Sequence, residues 1–201
     1  MNNNFLRKYA AALLALFSFA AVGAAQTFEN PEYPNVKITN FGKMDDRYYR
    51  GGQPLESDYQ SLKDLGVKTV IDLRNDPTIY EKGAVEALGM KYVNIPLNGW
   101  RHPSENHVEE FLKVMNDPET GTVYVHCKAG RHRAGMMGGV YRVANYGWDY
   151  DEAYKEMKKF NYSSWVFHGA MKTYVKEFAR KNKAAKSKKA PVDVQTAVSS
   201  Y

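Results

Sequence analysis

The sequence predicts an α/β fold, with a central, mainly parallel twisted sheet of about four to five strands flanked by helices. Three observations carry this expectation. Between roughly Pro34 and Lys181, short β-branched runs alternate with amphipathic stretches, the pattern of strands covered by helices. Apolar residues make up 44% of the 201 and charged residues 25%, which allows a sizeable core and excludes collagen-like, fully disordered and multi-span membrane classes. The single cysteine excludes an intrachain disulfide framework and Cys-rich zinc modules, so the fold rests on its core and Cys127 is left to inert burial or to chemistry.

In chain order, a positive n-region, Met-Asn-Asn-Asn-Phe-Leu-Arg-Lys-Tyr, precedes the apolar run Ala10–Ala21, too short to span a membrane comfortably, and the small residues Val22-Gly-Ala-Ala25. Residues 1–25 are expected to be a secretory signal peptide cut after Ala24 or Ala25, with an uncut N-terminal anchor as the alternative. Either reading makes the protein exported, periplasmic or secreted. The expected strands are Val36–Thr39, Tyr48–Arg50, Thr69–Leu73, Tyr92–Ile95 and Thr122–His126. Ser57 is placed to cap a helix ending at Gly66. Ser104 is placed to cap another, whose Val108, Phe111, Leu112 and Met115 share one face at i, i+3, i+4 and i+7. Asp149 and Glu152 form a capping-box start for a further helix.

The domain is expected over residues 34–181. Apolar periodicity ends at Phe178, and residues 182–201 read as a basic, disordered tail, solvated or in weak contact with an anionic surface such as lipid headgroups. The formal charge of +6 collects in Arg7, Lys8 and six cations from Arg180 to Lys189, which leaves the body close to neutral and argues against a nucleic-acid partner.

Chemistry concentrates in one segment. The strand Thr122-Val-Tyr-Val-His126 runs into Cys127-Lys-Ala-Gly-Arg-His-Arg133, and Ala134–Tyr146 reads as a Gly- and Met-rich helix. A loop closing from a strand end onto a helix N-terminus gathers backbone N–H groups around one point, and the helix dipole adds positive potential there. Cys127 at its centre is thereby favoured as thiolate. Arg133 can return to the loop mouth and grip two phosphoryl oxygens with its planar fork, while Gly130 supplies the freedom of a tight turn. Five histidines without paired metal-ligand spacing give no expectation of a metal, and no cofactor is expected.

His-Cys-x-x-Gly-x-x-Arg resembles the signature of the cysteine-dependent protein tyrosine phosphatase superfamily. More narrowly, Lys128-Ala-Gly-Arg-His-Arg-Ala-Gly135, Tyr49-Arg-Gly-Gly-Gln-Pro54 and Ile71-Asp-Leu-Arg74 resemble plant and fungal atypical dual-specificity phosphatases and their bacterial relatives, over about Asn40 to Phe178. The resemblance implies a protein tyrosine phosphatase-like fold and a thiolate that attacks phosphorus to give a phosphocysteine, later hydrolysed by water. It assigns Cys127 as nucleophile, Arg133 as phosphate-binding arginine and His126 as the histidine that helps hold the thiolate. Lys128, Ala129, Gly130, Arg131, His132 and Arg133 become the phosphate-binding loop.

Two departures stand out. Many members carry Ser or Thr after the arginine, where this chain has Ala134. The general acid is usually an upstream aspartate, but Asn98-Gly-Trp-Arg-His-Pro-Ser-Glu105 contains none. Glu105 is the carboxylic candidate, equally readable as a helix-start acid complementing the dipole, with His102 as second choice. The expected partner is a phosphorylated substrate, either a phosphoprotein or a polyphosphorylated small molecule, since Lys128, Arg131 and His132 offer charge that a phosphotyrosine does not need. Two alternatives stay open: a catalytically weakened phosphate-binding module and a rhodanese-like sulfurtransferase.

Overall fold

The structure, a computed structural model, describes residues 30–164 and 169–189; residues 1–25, expected to be a signal peptide, and residues 190–201 of the expected tail lie outside the described residues. Strands β1 (Gly42–Asp45) and β2 (Tyr48–Gly51) form a hairpin, followed by a 3-10 turn, Glu56–Asp58, and helix α1 (Tyr59–Asp64). The chain continues through β3 (Val67–Arg74), α2 (Glu81–Ala87), β4 (Lys91–Leu97), α3 (Glu105–Asn116) and β5 (Thr122–His126). Helices α4 (Arg133–Tyr141), α5 (Tyr150–Lys159) and α6 (Gly169–Lys189) complete it. The sheet order is β1-β2-β5-β3-β4, with β2, β5, β3 and β4 parallel and only the edge strand β1 antiparallel. This is the mainly parallel, five-stranded sheet that the alternating pattern predicts.

Parallel strands covered on both faces carry apolar side chains almost without alternation. β3 follows that rule, buried at every position except Lys68. On one face the core joins the sheet to α3, α4, α5 and α6 through Phe111, Met136, Val140, Met157 and Val175. On the other, Tyr59, Leu62 and Val85 of α1 and α2 pack against Val70 and Tyr124.

Two local expectations need correction. Val36–Thr39 is not a strand: Val36 and Ile38 are buried at 3% and 2% exposure, but the segment turns at Asn40 (φ 56°), and the first strand is Gly42–Asp45. Period-two burial there reports packing beneath Tyr49 and Tyr124 without a strand ladder. The cap before α1 is not Ser57, which lies inside the 3-10 turn; Asp58 Oδ2 instead accepts from the Leu55 N–H at 2.8 Å. The other two caps form as expected. Ser104 Oγ accepts from the His107 N–H at 3.3 Å, and Asp149 and Glu152 exchange reciprocal bonds of 3.0 and 2.9 Å.

Helix α4 is buried at every residue, and Gly139 allows α6 to approach closely: a Cβ there would lie 3.1 Å from Val175. It continues as a π-turn, Arg142–Tyr146, ended by Gly147 at φ 72°. Helix α6 runs past the domain end expected at Lys181, and Asn182 Nδ2 donates to Val143 O at 2.9 Å.

Candidate active site

β5 lies between β2 and β3, so the residue after His126 emerges at the centre of the sheet, at the carboxyl edge where open α/β folds hold their ligands. Cys127, only 3% exposed, starts a loop that closes on the N-terminus of α4. A pocket of about 520 Å3 opens there, lined by Cys127, Lys128, Ala129, His132 and Arg133, and by Asn75, Asp76, Asn98, Gly99 and Trp100 from the loops after β3 and β4. Sequence neighbours and strand-end neighbours thus meet around one sulfur.

Gly130 makes the tight turn at φ 67°, and a Cβ there would run into the backbone of Gly51 and Gly52. That glycine pair therefore lets the loop seat on β2. The Gln53 N–H donates to Lys128 O at 3.2 Å, and Arg50 Nη2 donates to Gly130 O at 2.6 Å. Arg50 is fully buried with its guanidinium 4.3 Å from the centre of the Phe160 ring, which replaces part of its hydration. Helix α4 begins beneath the loop with Gly135 N–H to Arg131 O at 3.1 Å and Met136 N–H to His132 O at 2.8 Å.

Arg133 is anchored through one nitrogen. Its Nη1 donates to Leu97 O and Asn75 Oδ1, both at 3.2 Å, and to Leu73 O at 3.4 Å. The ends of β3 and β4 therefore fix the guanidinium plane, leaving Nε and Nη2 for a ligand with two oxygens. Lys128 and His132 line the pocket, whereas Arg131 is exposed and outside its wall.

His126 is fully buried, stacked on Tyr124 at 5.6 Å between ring centres. Its Nε2 lies 2.7 Å from Glu81 Oε1 and 3.8 Å from Asp72 Oδ1, all three side chains being inaccessible. Burial pushes the Asp72 carboxyl up, against the opposing pull of His126. Burial acts on Glu81 in the same direction, but the hydrogen bond and charge of His126, with bonds from Gln53 and Tyr59, outweigh it and hold Glu81 below the usual range. Among the described residues this is the group whose ligand atoms come within 4.8 Å of one another. The 2.7 Å approach of His126 Nε2 to Glu81 Oε1 is close, yet among the described residues neither of these atoms nor His126 Nδ1 has a hydrogen-bond partner of acceptable geometry.

The structure separates Glu105 from the pocket. At the first position of α3 its side chain is 81% exposed, 3.8 Å from Lys181, and it belongs to neither the pocket wall nor the loop. His102 stacks on Tyr174 and is not in the wall either. Among the described residues the one carboxylate in the wall is Asp76. It pairs with Arg74 at 3.1 Å, and Arg74 also donates to Gln53 Oε1 at 2.8 Å. The bond from Arg74 holds Asp76 below the ordinary carboxylate range. Trp100 walls the pocket while remaining 60% exposed.

The family model described as a dual-specificity and protein tyrosine phosphatase (DSP-PTPase) fused to NAD+ kinase matches residues 27–178. The Dictyostelium discoideum "Probable tyrosine-protein phosphatase DG1060" is 30% identical over 131 residues, covering 63% of this chain and 78% of that protein. The inositol diphosphatase DSP3 of Arabidopsis thaliana is 29% identical over 126 residues, 60% of this chain and 62% of that one. The core catalytic domain of the PP-IP phosphatase SIW14 from S. cerevisiae superposes with a TM-score of 0.63 at 19% identity, covering 77% of this chain and 96% of that domain, a likeness of fold.

Proposed function

The chain belongs to the cysteine-dependent protein tyrosine phosphatase superfamily, among its atypical dual-specificity members, and from that membership we propose that it prefers phosphoanhydrides and densely phosphorylated small molecules to phosphotyrosine peptides. It is a phosphatase, and phosphoryl transfer in this superfamily proceeds through a phosphocysteine. In the proposed assignment the Cys127 thiolate attacks phosphorus, the bond to the leaving oxygen breaks and its electron pair departs with that oxygen. Arg133 Nε and Nη2 and the loop amides hold the phosphoryl oxygens. Water then attacks the phosphocysteine, the P–S bond breaks, and the thiolate returns as phosphate leaves.

One observation carries the substrate preference: among the described residues the only carboxylate in the pocket wall is Asp76, paired with Arg74 at 3.1 Å, a bond that favours its anion. A carboxylate engaged in that pair is poorly placed to deliver a proton to the leaving group. A tyrosine phenolate, with pKa near 10, then leaves without the roughly 10²–10⁴-fold that proton transfer supplies. A phosphate leaving from an anhydride hardly needs it. Lys128 and His132 in the wall add charge suited to a second phosphate, and the likeness to a named inositol diphosphatase supports the same class.

The test is kcat/KM across aryl phosphates of graded leaving-group pKa, a phosphotyrosine peptide and an inositol pyrophosphate. We expect a steep fall with leaving-group pKa and the pyrophosphate to be turned over best; preference for the peptide would overturn the reading. The n-region and apolar run at residues 1–25 further support an exported enzyme, testable by the activity of an N-terminal fusion to a reporter that functions only outside the cytoplasm.

A further inference from the structure

The carbonyl oxygen of Gly130 is gripped twice. Arg50 Nη2 donates to it at 2.6 Å and Asn40 Nδ2 at 2.9 Å. Asn40 is itself held in place: its Nδ2 also donates to Phe160 O at 2.9 Å, and its Oδ1 accepts from Asn161 Nδ2 at 2.9 Å. Among the described residues, these two asparagines are the non-glycine positions with positive φ, 56° and 57°. Asparagine tolerates the left-handed region better than most side chains, yet glycine would enter it more freely. What glycine cannot supply is the amide.

Across a trans peptide the C=O of one residue and the N–H of the next point in opposite directions. With the Gly130 oxygen bonded to Arg50 of β2 and to Asn40, the planar trans peptide aims the Arg131 N–H the opposite way, away from β2 and toward the interior of the loop. Were that peptide inverted, a carbonyl oxygen would face the phosphoryl oxygens and repel them. The Gln53 N–H on Lys128 O does the same for the Ala129 amide from the other side of the turn.

We propose that Asn40, oriented by Asn161 and aided by Arg50, is a positioning residue that sets the loop amides toward the phosphoryl group. The proposal rests on the loop being the phosphate site of the phosphatase assigned above. It ties three segments, residues 40, 130 and 161, into one clamp on the catalytic loop, so the loop between α5 and α6 contributes to anion binding without touching the anion.

The test uses variants that keep the backbone and remove only the amide. Asn40→Gly accepts the same φ, Asn40→Asp keeps the shape but replaces the donor with an oxygen, and Asn161→Gly removes the group that orients Asn40. Inhibition constants for inorganic phosphate and vanadate, and the rise in Tm that each anion gives, are measured beside kcat on an aryl phosphate. All three variants should bind both anions about tenfold or more weakly, the scale of a lost bond to a charged oxygen, with Asn40→Asp worst and the anion-induced rise in Tm reduced. A lowered Tm with unchanged inhibition constants in any two variants would overturn the proposal, since the amides would then be structural alone. Wild type insensitive to phosphate and vanadate would instead overturn the assignment of the loop.

Discussion

At Cys127 the chain places a nearly inaccessible cysteine in the wall of a pocket that Arg133 and the loop also line. Cys127→Ser should lose turnover to background while phosphate still raises Tm, because the loop and Arg133 survive the change. Arg133→Lys should lose both, since an ammonium cannot hold three strand-end acceptors and also present two parallel donors. Substantial phosphatase activity in Cys127→Ser would remove the nucleophile assignment. Ala134, 0% exposed, puts a methyl where many relatives of the superfamily place a hydroxyl that eases thiolate departure. Rapid mixing with a good leaving group should therefore show a burst of phenol, and Ala134→Ser should raise the steady rate; no burst and no gain would place the slow step elsewhere. These residues were legible because they fall in one short segment, Cys127 to Ala134. Asp76 was not, because its place in the wall depends on the loop after β3, 51 positions before the cysteine, while expectation followed the stretch leading to Glu105. Glu81, against His126, carried no signal at all: nothing in its own helix marks it, and only the pairing of β3 with β5 brings Asp72 and His126 side by side.

Among the elements, α4 shows how a glycine-rich segment becomes a central helix. Its small residues let Met44, Met157 and Val175 approach its axis, so packing replaces the propensity that glycine lacks. Where it loosens into the π-turn, Arg142 secures it, donating to Met44 O and through Nε and Nη2 to both oxygens of Glu156, the shortest of these carboxylate bonds being 2.7 Å. The guanidinium is flanked by Tyr146 and Trp148, 4.8 and 4.6 Å from the ring centres. With the two side chains only 7% and 13% exposed, Glu156→Ala removes the nearer counter-charge of Arg142 and leaves Asp45, 3.9 Å from Nη1, as the other. We expect a loss of about 1–3 kcal/mol, read as a fall in Tm of roughly 5 °C; a change under about 2 °C would mean that Asp45 and water replace the carboxylate at little cost. Caps at Ser104 and Asp149 were legible because a cap is a local bond between residues three apart. The edge strand β1 was not, since Gly42-Lys-Met-Asp45 has little β-propensity of its own and is a strand only because β2 lies beside it.

Over the whole molecule, charge and packing part company along α6. Met171, Val175 and Ala179 recur at helical spacing and are buried at 0%, 0% and 8%, and Asn182 makes the last bond to the body, whereas residues 183–187 are exposed. Burial thus ends near Asn182, and the helix runs on to Lys189 because lysine and alanine sustain a helix and cations suit its C-terminal dipole. A chain ending at Asn182 keeps every one of those contacts. It should unfold within about 2 °C of the full chain, the range of surface changes, and retain kcat/KM on soluble substrates. What it should lose is any sedimentation with vesicles rich in anionic lipid at low salt, since Lys183, Lys186, Lys188 and Lys189 are gone. A marked drop in Tm would show that the exposed turns of α6 brace the fold after all, and equal vesicle binding by both chains would assign the anionic contact to the basic rim of the pocket.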